Sequence, residues 1–226
     1  NQITRRTFHR VGAAAALGLA ATRRPSARAN QVAGANDRIR LAFIGVANRG
    51  GQLIDGFLAH QDVEIVALCD VNQRTLASAK QKVGGRVETC ADFRKLYDRT
   101  DIDGIVIATP DHWNATMSIA ALRNNVQVYV EKPMTHTVAE THVLKEAAEN
   151  SKAVFQVGHQ HRQTLSFKTA QDIVDKGILG HVSLITTNTN RNDDNGAWNY
   201  DIDPNASPQT IDWEQFLGSA PQIPFN

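Results

Sequence analysis

The chain has 226 residues, of which 42% are apolar and 21% charged, a balance that fits one large folded domain or slightly more and excludes a disordered or fibrous protein. The net charge of +1 conceals an uneven distribution, because residues 1–29 contain six arginines and no acidic residue. The rest of the chain therefore carries 18 basic side chains against 23 acidic ones. This mildly acidic body argues against nucleic-acid binding, which depends on neutralising phosphates.

The first 29 residues have the composition of an export signal. Arg5 and Arg6 precede Phe8, an apolar stretch follows at residues 11–21, and a small-residue cleavage pattern lies at residues 27–29. This order resembles a twin-arginine (Tat) signal, which implies the Tat export machinery as a partner and a periplasmic or secreted location. A basic amino-terminal helix on a cytosolic protein is the alternative. The apolar stretch is well short of the roughly 20 residues that span a bilayer.

Between residues 37 and 157, short apolar runs alternate with helical patterns. Predicted strands cover residues 39–45, 63–69, 87–89, 104–108, 126–130 and 153–157. Predicted helices cover residues 51–60, 73–82, 92–97, 111–124 and 137–150, and Asn72 is the expected amino-terminal cap of the second helix. This alternation predicts an α/β fold, with the parallel sheet of a Rossmann-type dinucleotide-binding domain over residues 37–157.

The pattern changes at residue 158. A helix is predicted at residues 165–176, a strand at residues 182–188, and a long loop rich in Asn, Asp and Pro at residues 192–208. A loop of that length within a compact domain is typically functional or belongs to an incomplete domain. Residues 158–226 are therefore interpreted as the beginning of an α+β domain whose sheet is not closed within this sequence.

A glycine-containing turn after the first predicted strand is the first candidate site. Gly45, Ala47 and Gly50 occupy the small-residue positions of a dinucleotide-binding motif, with Asn48 and Arg49 between them. Small residues permit a tight turn and bring the N–H groups of the helix start close to a pyrophosphate. An ordinary strand-to-helix turn is the alternative.

Asp70 ends the second predicted strand, 25 residues after Gly45, and the ribose-binding acid of such domains is expected after about 20. A carboxylate there accepts hydrogen bonds from the ribose hydroxyls and repels a 2′-phosphate, so NAD is favoured over NADP. Arg49 and Arg74 are candidates to stack on adenine or to soften this preference, which leaves NADP open. A helix cap is the alternative role for Asp70.

Two further candidate turns follow the fourth and fifth predicted strands, at the sheet edge where ligands bind in open α/β folds. Thr109, Pro110 and His112 belong to the first turn, and Glu131 and Lys132 to the second. A lysine there can polarise a substrate hydroxyl or carbonyl oxygen during hydride transfer. A surface ion pair between Lys132 and Glu131 is the alternative.

The histidines and cysteines give no metal pattern. His159 and His161 are spaced as two loop residues without matching carboxylate or Cys partners, so they are interpreted as loop histidines facing a cleft, and no metal is expected. Cys69 and Cys90 end strands that would be neighbours. A bond between them is conceivable, but buried free thiols are the preferred interpretation. Trp113 is interpreted as a packing aromatic.

Together these segments resemble the Gfo/Idh/MocA oxidoreductase family, in particular its secreted, glucose-fructose oxidoreductase-like subgroup. The segments that carry the resemblance are residues 45–50, 69–70, 108–113, 128–133, 157–162 and 213–221. The family implies a Rossmann domain followed by an α+β domain that is often used for forming homo-oligomers. It also implies NAD(P), a sugar or polyol-like substrate, and hydride transfer at a carbon bearing oxygen.

By position in the family motifs, Lys132 would lie beside both the nicotinamide and the substrate as the catalytic residue. Thr109, Pro110 and His112 would line the cofactor. On the substrate side, Arg162 would reach the substrate, and His161 is the second substrate-binding candidate.

The sequence departs from the family in three places. Asn114 stands where many relatives have His, and Ala47 replaces Gly. The Asp and His that complete the family's proton relay would lie beyond Asn226, so a fragment of a longer enzyme is expected. Two alternatives to an oxidoreductase stay open: an NAD-dependent glycoside hydrolase of the same fold, and a non-catalytic nucleotide-binding protein.

Overall fold

A computed structural model describes residues 38–188, 194 and 203–225, and the predicted export signal lies outside these residues. Its centre is a parallel six-stranded sheet with the strand order β3-β2-β1-β4-β5-β6. The strands are β1 (Ile39–Ile44), β2 (Val63–Cys69), β3 (Glu88–Cys90), β4 (Gly104–Ile107), β5 (Gln127–Glu131) and β6 (Phe155–Gly158). The strand order reverses between β1 and β4, which confirms the predicted Rossmann-type α/β fold.

Seven α-helices are described. They are α1 (Asn48–Leu58), α2 (Gln73–Val83), α3 (Arg94–Tyr97), α4 (Asp111–Arg123), α5 (Val138–Asn150), α6 (Leu165–Asp175) and α7 (Trp213–Leu217). Asn72 caps α2 as predicted, because its side chain accepts hydrogen bonds from the N–H groups of Arg74 and Thr75. A capping box formed by Thr137 and Glu140 begins α5.

Two apolar clusters cover the two faces of the sheet. Alternate residues of the central strands enter opposite clusters, as the two-residue period of a strand requires: Ile105 and Ile107 join one, and Val106 joins the other. All four residues of β4 are buried, since helices cover both faces. This packing fixes the positions of the turns that follow β1, β2, β4 and β5 at one edge of the sheet.

The predicted strand at residues 182–188 is not formed. None of the described strands pairs with this segment, and Leu184 and Ile185 are 81% and 78% exposed. A strand needs a hydrogen-bonded neighbour, and the apolar pattern that predicted this one carries no information about whether a neighbour exists. Most of the predicted loop at residues 192–208 lies outside the described residues. In the part of the chain that the structure describes, no helix is long and apolar enough to cross a membrane.

Residues 203–225 return to the edge of the sheet. The N–H of Gln73 donates to the carbonyl of Thr210, and the N–H of Asp212 donates to the carbonyl of Val71, both at 3.0 Å. Ile211 forms an antiparallel bridge with Asn72 between these two bonds. The segment therefore joins the start of α2 and forms a wall beside the turns that follow the strands.

Candidate functional site

The glycine turn joins β1 directly to α1. Gly45 has a φ of +79°, and a Cβ on it would lie 2.6 Å from the carbonyl oxygen of Ala108. A Cβ on Gly50 would lie 2.0 Å from the carbonyl oxygen of Gly45, so both positions require glycine. Ala47, at the amino-terminal cap of α1, provides no side-chain cap. The first N–H groups of α1 are therefore available to an anion at the positive end of the helix dipole.

Asp70 contacts this turn directly. Its Oδ2 accepts a hydrogen bond from the N–H of Val46, and its Oδ1 accepts one from the N–H of Asn72, both at 2.9 Å. Partial desolvation raises the pKa of Asp70, and these two hydrogen bonds oppose that rise. The helix-cap alternative for Asp70 is wrong, because Asn72 caps α2. The carboxylate is thus held between the glycine turn and α2, where the ribose-binding acid was expected.

A mainly apolar cavity of about 240 Å³ opens beside Asp70. Its lining includes Thr109 and Pro110, which are expected to line the cofactor, together with Phe93, Trp113, Ile211 and Phe216. Aromatic and aliphatic walls next to a ribose-binding carboxylate fit the purine end of a dinucleotide. The sequence did not predict that residues 203–225 line this cavity, since their place beside the turn depends on the return of the chain.

His112 does not line this cavity. Its Nε2 lies 2.9 Å from the carbonyl oxygen of Phe216, and the indole N–H of Trp113 donates to the same oxygen at 2.9 Å. His112 therefore helps to hold α7, and its expected place beside the cofactor stays a prediction. Trp113, interpreted as a packing aromatic, both packs and lines the cavity.

Glu131 is buried at the end of β5, and its side chain is held by the glycine-turn helix. Its Oε1 forms an ion pair with the guanidinium of Arg49 at 2.8 Å and accepts a hydrogen bond from the hydroxyl of Tyr129 at 3.3 Å. Its Oε2 accepts one from the N–H of Lys132 at 3.3 Å. Arg49 is thus the ion-pair partner of Glu131, and the predicted alternative of a Glu131–Lys132 ion pair is wrong. The side chain of Lys132 is exposed and forms no ion pair with any described residue.

Asn114 connects the two turns that follow β4 and β5. Its side-chain amide donates to the carbonyl of Pro133 at 2.7 Å, and its Oδ1 accepts from the hydroxyl of Thr109 at 2.9 Å. The side chain is 1% exposed. Asn114, which the sequence marked only as a departure from the family, is therefore a buried residue that links the two turns and fixes the Lys132 turn.

The chain after β6 begins close to this turn. His161 and Arg162 lie on an exposed 3₁₀-helix, Gln160–Gln163, and the side chain of Gln160 accepts a hydrogen bond from Arg49 at 3.5 Å. The ring of His161 stacks on Phe167. The described residues contain no group of His, Cys, Asp and Glu side chains that could hold a metal ion. His161 and Arg162 do not line the apolar cavity.

Cys69 and Cys90 are register partners on β2 and β3, and both are free thiols. A hydrogen bond with Cys90 and burial raise the pKa of the Cys69 thiol, so it is neutral at ordinary pH. Cys69 lines the apolar cavity with Asp70. Both residues are free thiols, as expected, but only Cys69 is buried and Cys90 is half-buried.

A parallel sheet with a glycine turn, an acid bonded to that turn and an adjoining apolar cavity defines a dinucleotide-binding domain. A family profile described as an oxidoreductase family with an NAD-binding Rossmann fold, Gfo/Idh/MocA, matches residues 39–159. The chain belongs to this family, and its cofactor is NAD.

Several curated proteins are similar to this chain over part of their length. A glycosyl hydrolase family 109 protein of Saccharopolyspora erythraea is 33% identical over 174 residues, which are 67% of this chain and 38% of that protein. Another protein of that name, from Shewanella baltica, is 34% identical over 124 residues, 51% of this chain and 27% of the relative. The chain thus spans well under half of the curated relatives it matches.

Solved structures show the same fold. The myo-inositol 2-dehydrogenase of Lactobacillus plantarum matches with a TM-score of 0.59 and 28% identity, covering 63% of this chain and 42% of that one. The WlbA dehydrogenase of Bordetella pertussis, solved in complex with NADH and UDP-GlcNAcA, matches with a TM-score of 0.60 and 21% identity, covering 63% and 43%. The second likeness concerns the fold alone.

Proposed function

We propose that this chain is the cofactor-binding part of an NAD-dependent oxidoreductase that moves a hydride to or from a carbon bearing oxygen in a sugar or polyol-like substrate. The observation that carries the proposal is the placement of Lys132. This side chain follows β5 at the same edge as the glycine turn, and its backbone is held by Glu131 and, through Pro133, by Asn114. Its ammonium group has no ion-pair partner among the described side chains, so it is available to a ligand.

Each group at this edge has a distinct task in the proposed reaction. The glycine turn and Asp70 bind the pyrophosphate and the adenosine ribose, and the apolar cavity takes the base. When bound, NAD supplies the acceptor or donor of the hydride. Lys132 lies close to the reacting oxygen, where its positive charge stabilises the negative charge that develops as the C–O bond order changes.

The test replaces Lys132 by Met in the enzyme of which this chain is the cofactor-binding part. The substitution keeps the length of the side chain and removes its charge. We expect NADH formation with a panel of inositols, aldoses and UDP-sugars to fall by about a hundredfold or more, as for the loss of one electrostatic donor. NAD⁺ affinity, measured by calorimetry, should stay close to that of the wild type. The matched control is Lys152→Met, because Lys152 is also exposed and lies outside the site. Unchanged turnover in Lys132→Met would overturn the assignment.

Glycoside hydrolysis is the second candidate function, and the names of the relatives favour it. In that reaction the same cofactor would oxidise the sugar and then reduce it again, with no net change in NAD. Incubation with para-nitrophenyl glycosides distinguishes the two functions. Release of nitrophenol without accumulation of NADH supports the hydrolase and argues against the dehydrogenase. NAD⁺ binding without either product supports the non-catalytic alternative.

We also propose that the protein is exported through the Tat machinery. The order of Arg5, Arg6, the apolar stretch and the small-residue cleavage pattern supports this proposal. Replacing both arginines by lysine keeps the charge and should block export if the pair is recognised as such. Fractionation of cells that express the chain with and without the two substitutions measures the effect.

A further inference from the structure

A second cavity adjoins the apolar one along Ala47 and Thr75. It is open and polar, has a volume of about 540 Å³, and is bounded by the glycine turn, by α1, by one side of α2 from Arg74 to Lys82, and by Asp203. Val46, whose N–H is bonded to the carboxylate of Asp70, also lines it. A ribose held by Asp70 would therefore present its 2′-oxygen near the mouth of this cavity, where the extra phosphate of NADP would have to lie.

Both basic side chains in the lining of this cavity are already paired with carboxylates. The ammonium group of Lys82 lies 2.7 Å from Oδ2 of Asp55, and Nε of Arg74 lies 3.1 Å from Oδ2 of Asp203. Asp55 and Asp203 also line the cavity. A phosphate entering this space would meet no unpaired cation among the described residues and two negative charges.

Asp203 comes from the segment that returns to the sheet, and its carboxylate is firmly oriented. Its Oδ1 accepts hydrogen bonds from the backbone N–H of Asn205 at 2.9 Å and from the side-chain amide of Asn205 at 3.3 Å. These bonds and the nearby guanidinium of Arg74 hold the pKa of Asp203 below its ordinary value. Its other oxygen, Oδ2, contacts Arg74. The orientation of this carboxylate therefore does not depend on Arg74 alone.

We propose that Asp203 is a specificity-determining residue that favours NAD over NADP by neutralising Arg74. An arginine near the ribose commonly accommodates the 2′-phosphate in Rossmann domains, and Arg74 follows Asp70 at the start of α2 in a suitable place. Asp203 makes this arginine unavailable and adds a like charge, which lowers the affinity for NADP without contributing to the binding of NAD. The proposal rests on the assignment of this sheet edge as the NAD site.

The test measures the affinities for NAD⁺ and NADP⁺ by calorimetry on the full chain, so that it does not require turnover. Asp203→Asn removes the charge and keeps the shape. We expect its affinity for NADP⁺ to rise about fivefold at low ionic strength, the upper range for an exposed ion pair, while its affinity for NAD⁺ stays unchanged. Asp175→Asn is the matched control, because Asp175 is an exposed residue at the end of α6 that does not line the cavity. We expect both of its affinities to equal those of the wild type.

The variant Arg74→Ala tests whether Asp203 lowers the affinity for NADP⁺ by pairing with Arg74. In this background, adding Asp203→Asn should change the affinity for NADP⁺ much less than it does in the wild type, because no arginine remains to be released. An equal gain in both backgrounds, or no gain in Asp203→Asn, overturns the proposal. If the wild type binds NAD⁺ but the variants do not show the expected changes in NADP⁺ affinity, the assignment of the NAD site is kept and the role of Asp203 is rejected. If the wild type binds neither nucleotide, both assignments fail.

Discussion

The sheet and the segment at residues 165–188 contain similar apolar residues in opposite environments. Ile105 and Ile107 in β4 are almost completely buried, whereas Ile185 and Leu184 are about four-fifths exposed. β4 has hydrogen-bonded strands on both sides and helices on both faces. The later segment pairs with no described strand. Apolar residues stabilise a fold only where a partner surface covers them, and in the described chain that surface exists around the sheet.

The turns of the candidate site lie on the well-packed side of this contrast. Its turns leave strands that are fixed by their neighbours, and buried polar contacts from Asn114 and Glu131 link one turn to another. A site on rigid elements holds its reactive groups more accurately than one on free loops. We therefore expect substitutions in the two regions to differ in their energetic cost as the regions differ in packing.

The largest effect is expected at Gly50. In Gly50→Ala, the new Cβ would lie 2.0 Å from the carbonyl oxygen of Gly45, so the backbone of the turn has to move. We expect the free energy of unfolding to fall by about 3 kcal/mol and NAD⁺ binding to be lost, because overpacking at a rigid contact costs this much and displaces the turn. Urea denaturation and calorimetry with NAD⁺ measure the two effects.

Gly56→Ala is the matched control on the same helix, because a Cβ at Gly56 meets no atom within 4 Å. Gly56 is exposed in the interior of α1, where alanine has the higher helix propensity. We expect this variant to be more stable by about 0.5–1 kcal/mol and to bind NAD⁺ normally. Equal behaviour of the two variants would contradict the close contact between Gly50 and Gly45.

A smaller loss is expected from Glu131→Gln. The neutral amide keeps the size of the side chain but removes the charge that pairs with Arg49, so the free energy of unfolding should fall by about 2 kcal/mol. The matched control is Glu149→Gln, which breaks an exposed ion pair with Lys145 on α5. Its cost should be about 0.5 kcal/mol or less. Denaturant titration of both variants compares the buried pair with the exposed one, and similar losses would argue against a structural role for Glu131.

Much of the sheet could be predicted from the sequence because each strand is a short apolar run followed by a turn residue and a helix. The pattern located β1, β2 and β4 to within a residue or so, and it identified Asn72 as a cap. The segment at residues 182–188 also contains apolar residues, namely Val182, Leu184 and Ile185, but pairs with no described strand. Local pattern determines which residues can be buried, and only the presence of a partner decides whether they are.

The site could be predicted in part. Gly45, Gly50 and Asp70 follow a fixed spacing, so their positions in the sequence were sufficient to place them together. The Arg49–Glu131 ion pair joins residues 82 positions apart, and Asp203 reaches Arg74 through a return of the chain. Neither contact follows a spacing rule, because both depend on how distant segments pack. The same reason explains why Ile211 and Phe216 were not expected in the wall of the apolar cavity.

The smallest effect is expected at Ile185, and it tests the exposed side of the comparison most directly. In Ile185→Ala the side chain that is removed lies in solvent, so the free energy of unfolding should change by less than about 0.5 kcal/mol. The identical substitution Ile105→Ala removes a buried side chain from β4 and should cost about 3 kcal/mol. Denaturation curves of the two variants, recorded under the same conditions, give the difference between their free energies of unfolding. If Ile185→Ala costs as much as Ile105→Ala, residues 182–188 are packed in solution, and the contrast between the two regions does not hold.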